Sequence, residues 1–157
     1  MQKKTDFEYK TITGKLVFPS INVPNFKFNK NGVWETFLIP DDDKELATAK
    51  DLGIRTKSWD DIPEAIYFKR FTTYKNGNAQ KPPLVKNADG ELFNFKDEDS
   101  GREIIPWTNT EAKLMYHFWE TKNDWGTYKY YLLDGVRIFN LVEKPESNSD
   151  MEEALDF

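Results

Sequence analysis

Strand-like alternation of apolar and polar residues recurs along this chain of 157 residues, whereas only one segment carries a helical pattern. The alternating segments are short and are bounded by Pro, Gly or Asn, as β-strands are. They cover residues 11–18, 33–39, 66–74, 113–120 and 128–142. Several strands without alternating helices favour a β-barrel or sandwich over a parallel α/β sheet. The sequence therefore predicts an all-β domain of five or six strands with one short helix.

Three glycine-containing features refine the strand prediction. Gly14 interrupts the first strand and predicts a bulge or bend of the kind that curls a sheet into a barrel. Asp134 and Gly135 predict a bend within residues 128–142, or a break into two strands. The long polar stretch of residues 75–101 is rich in turn dipeptides and predicts a hairpin or mobile loop. Within it, Leu92, Phe93 and Phe95 predict one short strand.

Residues 41–52 have the pattern of a helix. Asp42 and Glu45 fit a capping box, acidic residues favour the positive start of a helix, and Gly53 supplies the stop. The triplet Asp41, Asp42 and Asp43 could be imagined as a metal site. A solvated helix start explains the triplet better.

The acidic residues are unevenly distributed. The chain has a net charge of −5, and all of it resides in residues 146–157, because residues 1–145 contain equal numbers of acidic and basic side chains. The acidic pI therefore does not argue against a nucleic-acid surface on the folded part. The absence of Cys excludes disulfides and thiolate metal sites and fits a reducing cytoplasm. Apolar runs are too short to cross a bilayer, and the start of the chain lacks the apolar stretch of a secretory signal.

Enzyme signatures are scarce. The chain has one His and no Cys, and it lacks a Gly-rich phosphate loop and a nucleophile elbow. His117 falls inside an aromatic strand, where packing or contact with a base is a commoner role than catalysis. A carboxylate pair could still form an acid and base pair or hold a metal, although no spacing favours a particular pair. We expect no enzyme activity and no cofactor.

Basic residues interleave with aromatic residues on two predicted strands. Rings of this kind can stack on unpaired bases while cations follow the phosphates, a combination that suits single-stranded nucleic acid. The alternative role for each ring is core packing, and for this reason Ile66, Phe68, Leu114, Tyr116 and Phe118 are assigned to the interior. Trp125 and Tyr128 extend the second cluster. The predicted DNA-contacting residues are Tyr67, Lys69, Arg70, Phe71, Tyr74, Lys75, Lys81, Lys86, Lys113, His117, Trp119, Lys122, Lys129 and Tyr131.

The last twelve residues, ESNSDMEEALDF, contain five acidic residues, no basic residue and a terminal Phe. So little apolar surface cannot offset the entropy of ordering, and we expect a disordered tail. Tails of this composition often act as interaction arms, although a frayed, solubilising end is the plainer interpretation. The candidate partner-binding residues are Glu146, Asp150, Glu152, Glu153, Asp156 and Phe157.

The order of these features resembles the single-stranded DNA-binding proteins of tailed bacteriophages, including the replication proteins of short-tailed coliphages. The resemblance runs through TGKLVFPS, DDDKELATAK, KNGNAQKPPLVKNADGE and NTEAKLMYHFWE, and ends with GTYKYYLLDGVRIFNLVE and EEALDF. The last two segments contribute most to the resemblance. The departures are a body without net positive charge and only four Arg, namely Arg55, Arg70, Arg102 and Arg137.

The resemblance implies an OB-fold, a five-stranded Greek-key barrel, over residues 1–144, followed by the tail at residues 145–157. It also implies a tail that occupies the DNA groove until DNA displaces it and then docks on the phage DNA polymerase and primase-helicase. The expected function is sequence-independent binding of single-stranded DNA during phage replication or recombination, in the cytoplasm of the infected bacterium, as a monomer or homodimer. The alternative is a DNA mimic or host-factor-binding phage protein on a barrel scaffold. Mimicry requires acidic patches on the folded body, whose acidic residues are scattered.

Overall fold

The structure, a computed structural model, describes residues 8–26, 31–74 and 76–145. This part of the chain contains seven strands and one helix. In chain order they are β1 (Lys10–Asn25), β2 (Val33–Pro40), α1 (Asp43–Leu52), β3 (Thr56–Trp59), β4 (Ile62–Phe71), β5 (Leu84–Lys86), β6 (Glu111–Asn123) and β7 (Gly126–Asn140). Within the described ranges, no helix has the length and apolar character needed to span a membrane.

Five of the strands close into a barrel. Neighbouring strands pair in the order β4, β2, β1, β6 and β7, and β7 returns to pair with β4. The closing pair is parallel and joins Phe68 to Tyr131, whereas the other four pairs are antiparallel. Closure leaves no free edge within these five strands, while β3 extends β4 and β5 extends β7. The predicted five-stranded Greek-key barrel of the OB type is confirmed.

The barrel interior is filled by the inward residues of each strand. Ile66, Phe68 and Leu114 are fully buried and Tyr116 is nearly so, while Phe118 is half-buried against the same core. The rings of Phe68, Tyr116 and Tyr131 lie within 5.4 Å of one another, centroid to centroid. The five residues assigned to the interior from the sequence therefore pack on the core.

Helix α1 follows the sequence prediction closely. Asp42 is the N-cap, and its carboxylate accepts a hydrogen bond of 2.9 Å from the backbone N–H of Lys44. This is one residue earlier than a capping box requires. Gly53 takes the left-handed conformation, φ 84°, and the N–H groups of Gly53 and Ile54 bond back to Lys50 and Ala49. This Schellman motif ends the helix where the sequence predicts.

The register of the first strand shifts at different residues from the one predicted. Gly14 keeps regular register with both Pro40 and Ala112, and the shifts against β2 lie between Val17 and Ser20 and between Ser20 and Asn25. The prediction of a bulge at Gly14 is therefore wrong. Gly14 instead permits close approach of the backbones, because a Cβ atom there would lie 2.0 Å from the carbonyl oxygen of Ile39.

Other strand boundaries also differ from expectation. Strand β3 was missed, β4 spans Ile62–Phe71 where residues 66–74 were predicted, and the strand predicted around Leu92 is absent from the described structure. Leu92 makes only an isolated bridge to Lys86, and Phe93 and Phe95 pack on the core from a loop. Residues 128–142 form most of one continuous strand, β7, because the bulge at Asp134 bends it without breaking it.

Candidate nucleic-acid interface

A line of aromatic rings crosses the outer surface of the barrel. On β2 and β4 the side chains alternate, so that Phe37 and Tyr67 point outward while Leu38 and Phe68 are buried. The Phe37 ring lies 5.1 Å from Tyr67 and 5.0 Å from Trp59 on β3, centroid to centroid. We call the whole line the aromatic track; it consists of Trp107, Phe18, Trp59, Phe37, Tyr67, Tyr130 and Phe71.

One end of the track is built by the bulge in β1. Phe18 has a φ of 48°, which is uncommon for a residue with a large side chain, and its N–H donates a 3.0 Å hydrogen bond to the Thr108 hydroxyl. The ring is 42 % exposed and lies 5.4 Å from Trp59 and 5.7 Å from Trp107. The bulge thus places Phe18 between two tryptophans that come from distant parts of the sequence.

Cationic groups accompany the rings. The Arg55 guanidinium lies 4.8 Å from the Tyr67 centroid, and Lys57 Nζ lies 5.3 Å from Trp59. Lys69 Nζ is 3.9 Å from the Tyr130 centroid. At the other end, Lys144 Nζ is 4.8 Å from Trp107. Each pair offers a π-face for a base beside a positive charge for a phosphate.

The middle of the track borders a cleft of about 390 Å³. Arg55, Tyr67 and Lys69 line one side, and residues 127–131 of β7 line the other. Gly53 leaves room for Lys129, whose Cδ would lie 3.4 Å from a Cβ atom at residue 53. The turn that ends α1 therefore borders the cleft beside the Lys129 side chain.

Glu35 places a carboxylate inside this surface. The Tyr67 hydroxyl donates a short hydrogen bond to Glu35 Oε1, and Asn25 Nδ2 donates to Oε2 at 2.7 Å. Burial is the main cause that raises the pKa of Tyr67 well above its usual range, and the hydrogen bond to Glu35 and the charge of Glu35 raise it further. Burial lowers the pKa of Lys69, while the charge of Glu35 opposes that change. Tyr67 is therefore a neutral, fixed ring at neutral pH.

The predicted contact residues separate into distinct groups. Tyr67, Lys69 and Phe71 point outward on β4, and Lys129 borders the cleft. Trp119 and Lys122 are exposed on the β6–β7 hairpin, beside Trp125, which is 86 % exposed. Tyr74 and Lys81 are exposed in the connection after β4, whereas Lys86 and Lys113 lie on β5 and β6, away from the track. Lys75 and the six tail residues Glu146, Asp150, Glu152, Glu153, Asp156 and Phe157 lie outside the described residues.

Three of the predicted DNA-contacting residues are buried in the barrel or bonded to other residues of it. Tyr131 is 4 % exposed in the core. Arg70 and His117 both bond to Asp134, the extra residue of the β7 bulge: His117 Nδ1 lies 2.7 Å from Oδ2, and Arg70 Nη1 lies 3.4 Å from Oδ1. Arg70 Nε also donates to the Lys81 carbonyl at 2.7 Å. These three side chains are engaged in contacts within the barrel, and the set that we propose below for DNA contact does not include them.

Most of the track was missed from the sequence. Its members outside the predicted set are Phe18, Phe37, Trp59, Trp107 and Tyr130, with Arg55, Lys57 and Lys144 as their cations. The available signal was the polar pair Asp60-Asp61 between Trp59 and Ile62, which marks the turn of a short hairpin. No local pattern brings Trp107 to Phe18, because the contact depends on the β1 bulge and on barrel closure.

Metal binding has no geometric support in the described part of the chain. No group of three or more His, Cys, Asp or Glu side chains there is arranged to hold a metal ion. Asp41, Asp42 and Asp43 are exposed at the start of α1, where Asp42 caps the helix.

The fold and the track together define an OB-fold barrel with a cationic, aromatic outer face. No protein-family model and no curated protein sequence matches this chain. Among solved structures, the chain is similar to gp2.5 of bacteriophage T7, a single-stranded DNA-binding protein, with a TM-score of 0.58 and 16 % identity over 94 % of each chain. At this identity the likeness establishes a shared fold.

Two structures of a second phage protein show the same likeness. The single-stranded DNA-binding protein of bacteriophage Enc34 matches with a TM-score of 0.56 and 13 % identity, and 97 % of each chain is covered. Its complex with single-stranded DNA matches with a TM-score of 0.58 and 12 % identity over 94 % of this chain and 97 % of that one. The resemblance to phage single-stranded DNA-binding proteins is confirmed in their shared fold.

Proposed function

We propose that this chain is a non-catalytic protein that binds single-stranded DNA with little sequence preference. The observation that carries the proposal is the aromatic track, in which Tyr67, Trp59, Tyr130 and Trp107 each contact a cation. Stacking is sequence-tolerant because every base has a π-face, and base–aromatic stacking contributes about 1–3 kcal/mol per base. Neutralised phosphates add a salt-dependent term.

The proposed path of the strand runs from the β6–β7 hairpin across the cleft to Trp107. Lys129, Lys69 and Arg55 would contact phosphates, while Tyr130 and Tyr67 would stack on bases. Trp119 lies opposite Tyr130 in the hairpin, which extends the surface toward Lys122 and Trp125. The similarity to the T7 and Enc34 proteins, both single-stranded DNA-binding proteins, supports single-stranded DNA as the ligand.

The proposed biological role is protection and straightening of template strands during phage DNA replication or recombination, in the cytoplasm of the host. In this proposal residues 1–144 form the DNA-binding domain and residues 145–157 the acidic tail. Lys144 contacts Trp107, so the tail leaves the barrel at one end of the track. From there it can compete with DNA for the cationic face. A displaced tail would recruit the phage polymerase and primase-helicase through its carboxylates and Phe157.

A fluorescence titration tests the proposal. Oligo-dT should quench the tryptophans, because Trp59 and Trp107 lie on the track, and log affinity should fall with log salt by about 0.7 per phosphate contacted. A duplex of equal length should bind more weakly. Equal affinity for duplex and single-stranded DNA would contradict the proposal. Cleavage or other turnover of labelled DNA in the presence of Mg²⁺ would contradict the proposal that the protein is non-catalytic.

The same titration tests the tail. A chain that ends at Pro145 should bind oligo-dT more tightly than the full chain, with the largest difference at low salt. It should also lose contact with the polymerase and primase-helicase. Unchanged DNA affinity would show that the tail does not compete for the track.

A further inference from the structure

Three cationic side chains stand side by side on a different part of the barrel surface. Lys86 on β5 lies opposite Arg137 on β7, and Arg137 lies opposite Lys113 on β6. Neighbouring strands are about 4.8 Å apart, and like charges at directly opposed positions destabilise a sheet. All three point outward, because their strand neighbours are buried, namely Val85, Ala112, Leu114, Val136 and Ile138. We call Lys86, Arg137 and Lys113 the cationic row.

The charges of the row are not neutralised within the barrel. None of the salt bridges among the described residues involves Lys86, Arg137 or Lys113. Arg137 donates a 2.6 Å hydrogen bond to the Ala88 carbonyl and lies 5.7 Å from the Phe139 centroid. Both contacts fix the guanidinium in place and leave its charge unbalanced. An anion bound here would relieve a repulsion that the fold itself does not relieve.

Apolar side chains flank the row. Leu84 is 46 % exposed, Phe139 is also exposed, and Met115 is half-buried on the same face. Gly135 lies between Leu84 and Met115, and a Cβ atom there would lie 3.2 Å from the Leu84 carbonyl oxygen. The surface therefore offers positive charge beside exposed apolar side chains.

This combination fits an acidic peptide with apolar side chains better than a DNA backbone. Leu84 and Met115, which flank the row, have no π-face for a base. Residues 146–157 of this chain have the matching chemistry, with five carboxylates, no basic residue, and Leu155 and Phe157 near the end. Pro145 lies eight positions after Arg137 along the chain, and twelve extended residues span about 40 Å, so the segment can reach the row.

We propose that residues 146–157 dock on the cationic row when single-stranded DNA occupies the aromatic track. The inference rests on the proposed function, because DNA is what displaces the segment from the track. The barrel would then offer its acidic segment two sites, and bound DNA would select between them. A protein partner that recruits the tail in the DNA complex would have to compete with the cationic row.

Paramagnetic relaxation in the full chain tests the proposal. The chain has no Cys, so Ser149→Cys creates a unique position for a nitroxide label. In ¹⁵N-labelled protein saturated with oligo-dT, amides of Lys86, Lys113 and Arg137 should broaden, and reduction of the nitroxide should restore them. Without DNA, broadening should fall on Tyr67 and Lys69 instead.

Charge variants provide the controls. Lys113→Gln with Arg137→Gln should remove more than half of the broadening at the row, while Lys44→Gln with Lys96→Gln removes two exposed charges elsewhere and should leave it unchanged. Lys113→Gln alone avoids disturbing the turn that Arg137 holds. If the amide signals of the cationic row are not broadened in the DNA complex, the docking proposal is overturned.

Binding of DNA at the aromatic track is measured separately from docking of the acidic segment on the row. Chemical-shift changes at Tyr67 and Lys69 on addition of oligo-dT report binding at the track, and their absence would contradict the proposed function itself. Shift changes at Lys113 and Arg137 without broadening would show DNA on the row and would overturn the acidic segment as its occupant. Broadening of the row before DNA is added supports docking and contradicts competition at the track.

Discussion

Glu35 shows how one side chain can both order and weaken the proposed DNA-binding surface. Its carboxylate accepts hydrogen bonds from Tyr67 and Asn25, which fix the Tyr67 ring between Phe37 and Arg55. The same negative charge repels phosphates that approach Lys69. A fixed ring loses less side-chain entropy on binding, so the arrangement exchanges electrostatic attraction for preorganisation.

Removal of the Glu35 charge is predicted to strengthen DNA binding. Glu35→Gln keeps an oxygen for the Tyr67 hydroxyl and removes a repulsion of about 1 kcal/mol per nearby phosphate, which is roughly fivefold in affinity. Fluorescence anisotropy with labelled oligo-dT at two salt concentrations measures the change. Glu91→Gln, an exposed residue in a turn, is the matched control. Equal behaviour of the two variants would contradict this role for Glu35.

Loss of the Tyr67 ring is predicted to weaken binding. Tyr67→Ala removes one stacking platform and should cost about 1–3 kcal/mol, whereas Tyr67→Phe keeps the ring and should lose much less. Competition binding with unlabelled oligo-dT at fixed salt measures both variants, and thermal unfolding of each establishes that it is folded. If Tyr67→Ala binds like the wild type, the track does not stack on bases at this position.

At the scale of elements, strand β1 joins β2 to β6 within the barrel. It pairs with β6 over residues 10–15 and with β2 from Gly14 onward, so that Gly14 and Lys15 pair with both neighbours. Past Val17 the register with β2 shifts, and at this irregularity Phe18 meets Trp59 and Trp107. One local irregularity of the backbone therefore contributes to the proposed binding surface, a common use of β-bulges.

A side chain at Gly14 is predicted to disrupt this strand. Gly14→Ala would place Cβ 2.0 Å from the Ile39 carbonyl oxygen, a backbone atom that cannot rotate away. We expect a loss of about 3 kcal/mol or more in the free energy of unfolding, at the upper end of the cost of overpacking. Urea denaturation measures it, with Thr13→Ala at the exposed neighbouring position as control. A loss below 1 kcal/mol would show that β1 and β2 can separate without cost.

At the scale of the whole molecule, burial of tyrosines links barrel closure to pH. Burial is the main cause of the raised pKa of Tyr67, Tyr116, Tyr130 and Tyr131. Tyr116 and Tyr131 pack together in the core, while Tyr67 and Tyr130 face the cleft. The core and the cleft therefore each contain phenols that burial keeps neutral to a higher pH.

Alkaline conditions are predicted to destabilise the fold. The folded state keeps these protons to a higher pH than the unfolded chain, so their contribution is fully present below about pH 10 and is lost as pH rises above it. Urea unfolding between pH 8 and 11, with phenolate absorbance in parallel, measures the loss. Tyr116→Phe should reduce the pH dependence, whereas Tyr74→Phe, at an exposed position, should not. One ionisation step for all tyrosines before unfolding would contradict the prediction.

The sequence by itself determined the features that depend on neighbours along the chain. The caps of α1 at Asp42 and Gly53, and the inward positions of Phe68 and Leu114, follow from hydrogen bonds and side-chain alternation within a few residues. The same alternation placed Tyr67 and Lys69 on an outer face. The order of these elements was enough for the resemblance that implied the barrel and the binding of single-stranded DNA.

Only the tertiary structure decided which of the outward and inward groups meet. Phe18, Trp59 and Trp107 form one surface because a bulge and strand pairings across many residues bring them together, and no local period encodes such pairings. Tyr131 and Arg70 fit the basic and aromatic pattern, yet barrel closure buries the first and the β7 bulge binds the second through Asp134. The cationic row likewise exists only through the register of β5, β6 and β7. The long-range strand register is set by the packing of the whole core. It determines which basic and aromatic side chains lie together on one surface.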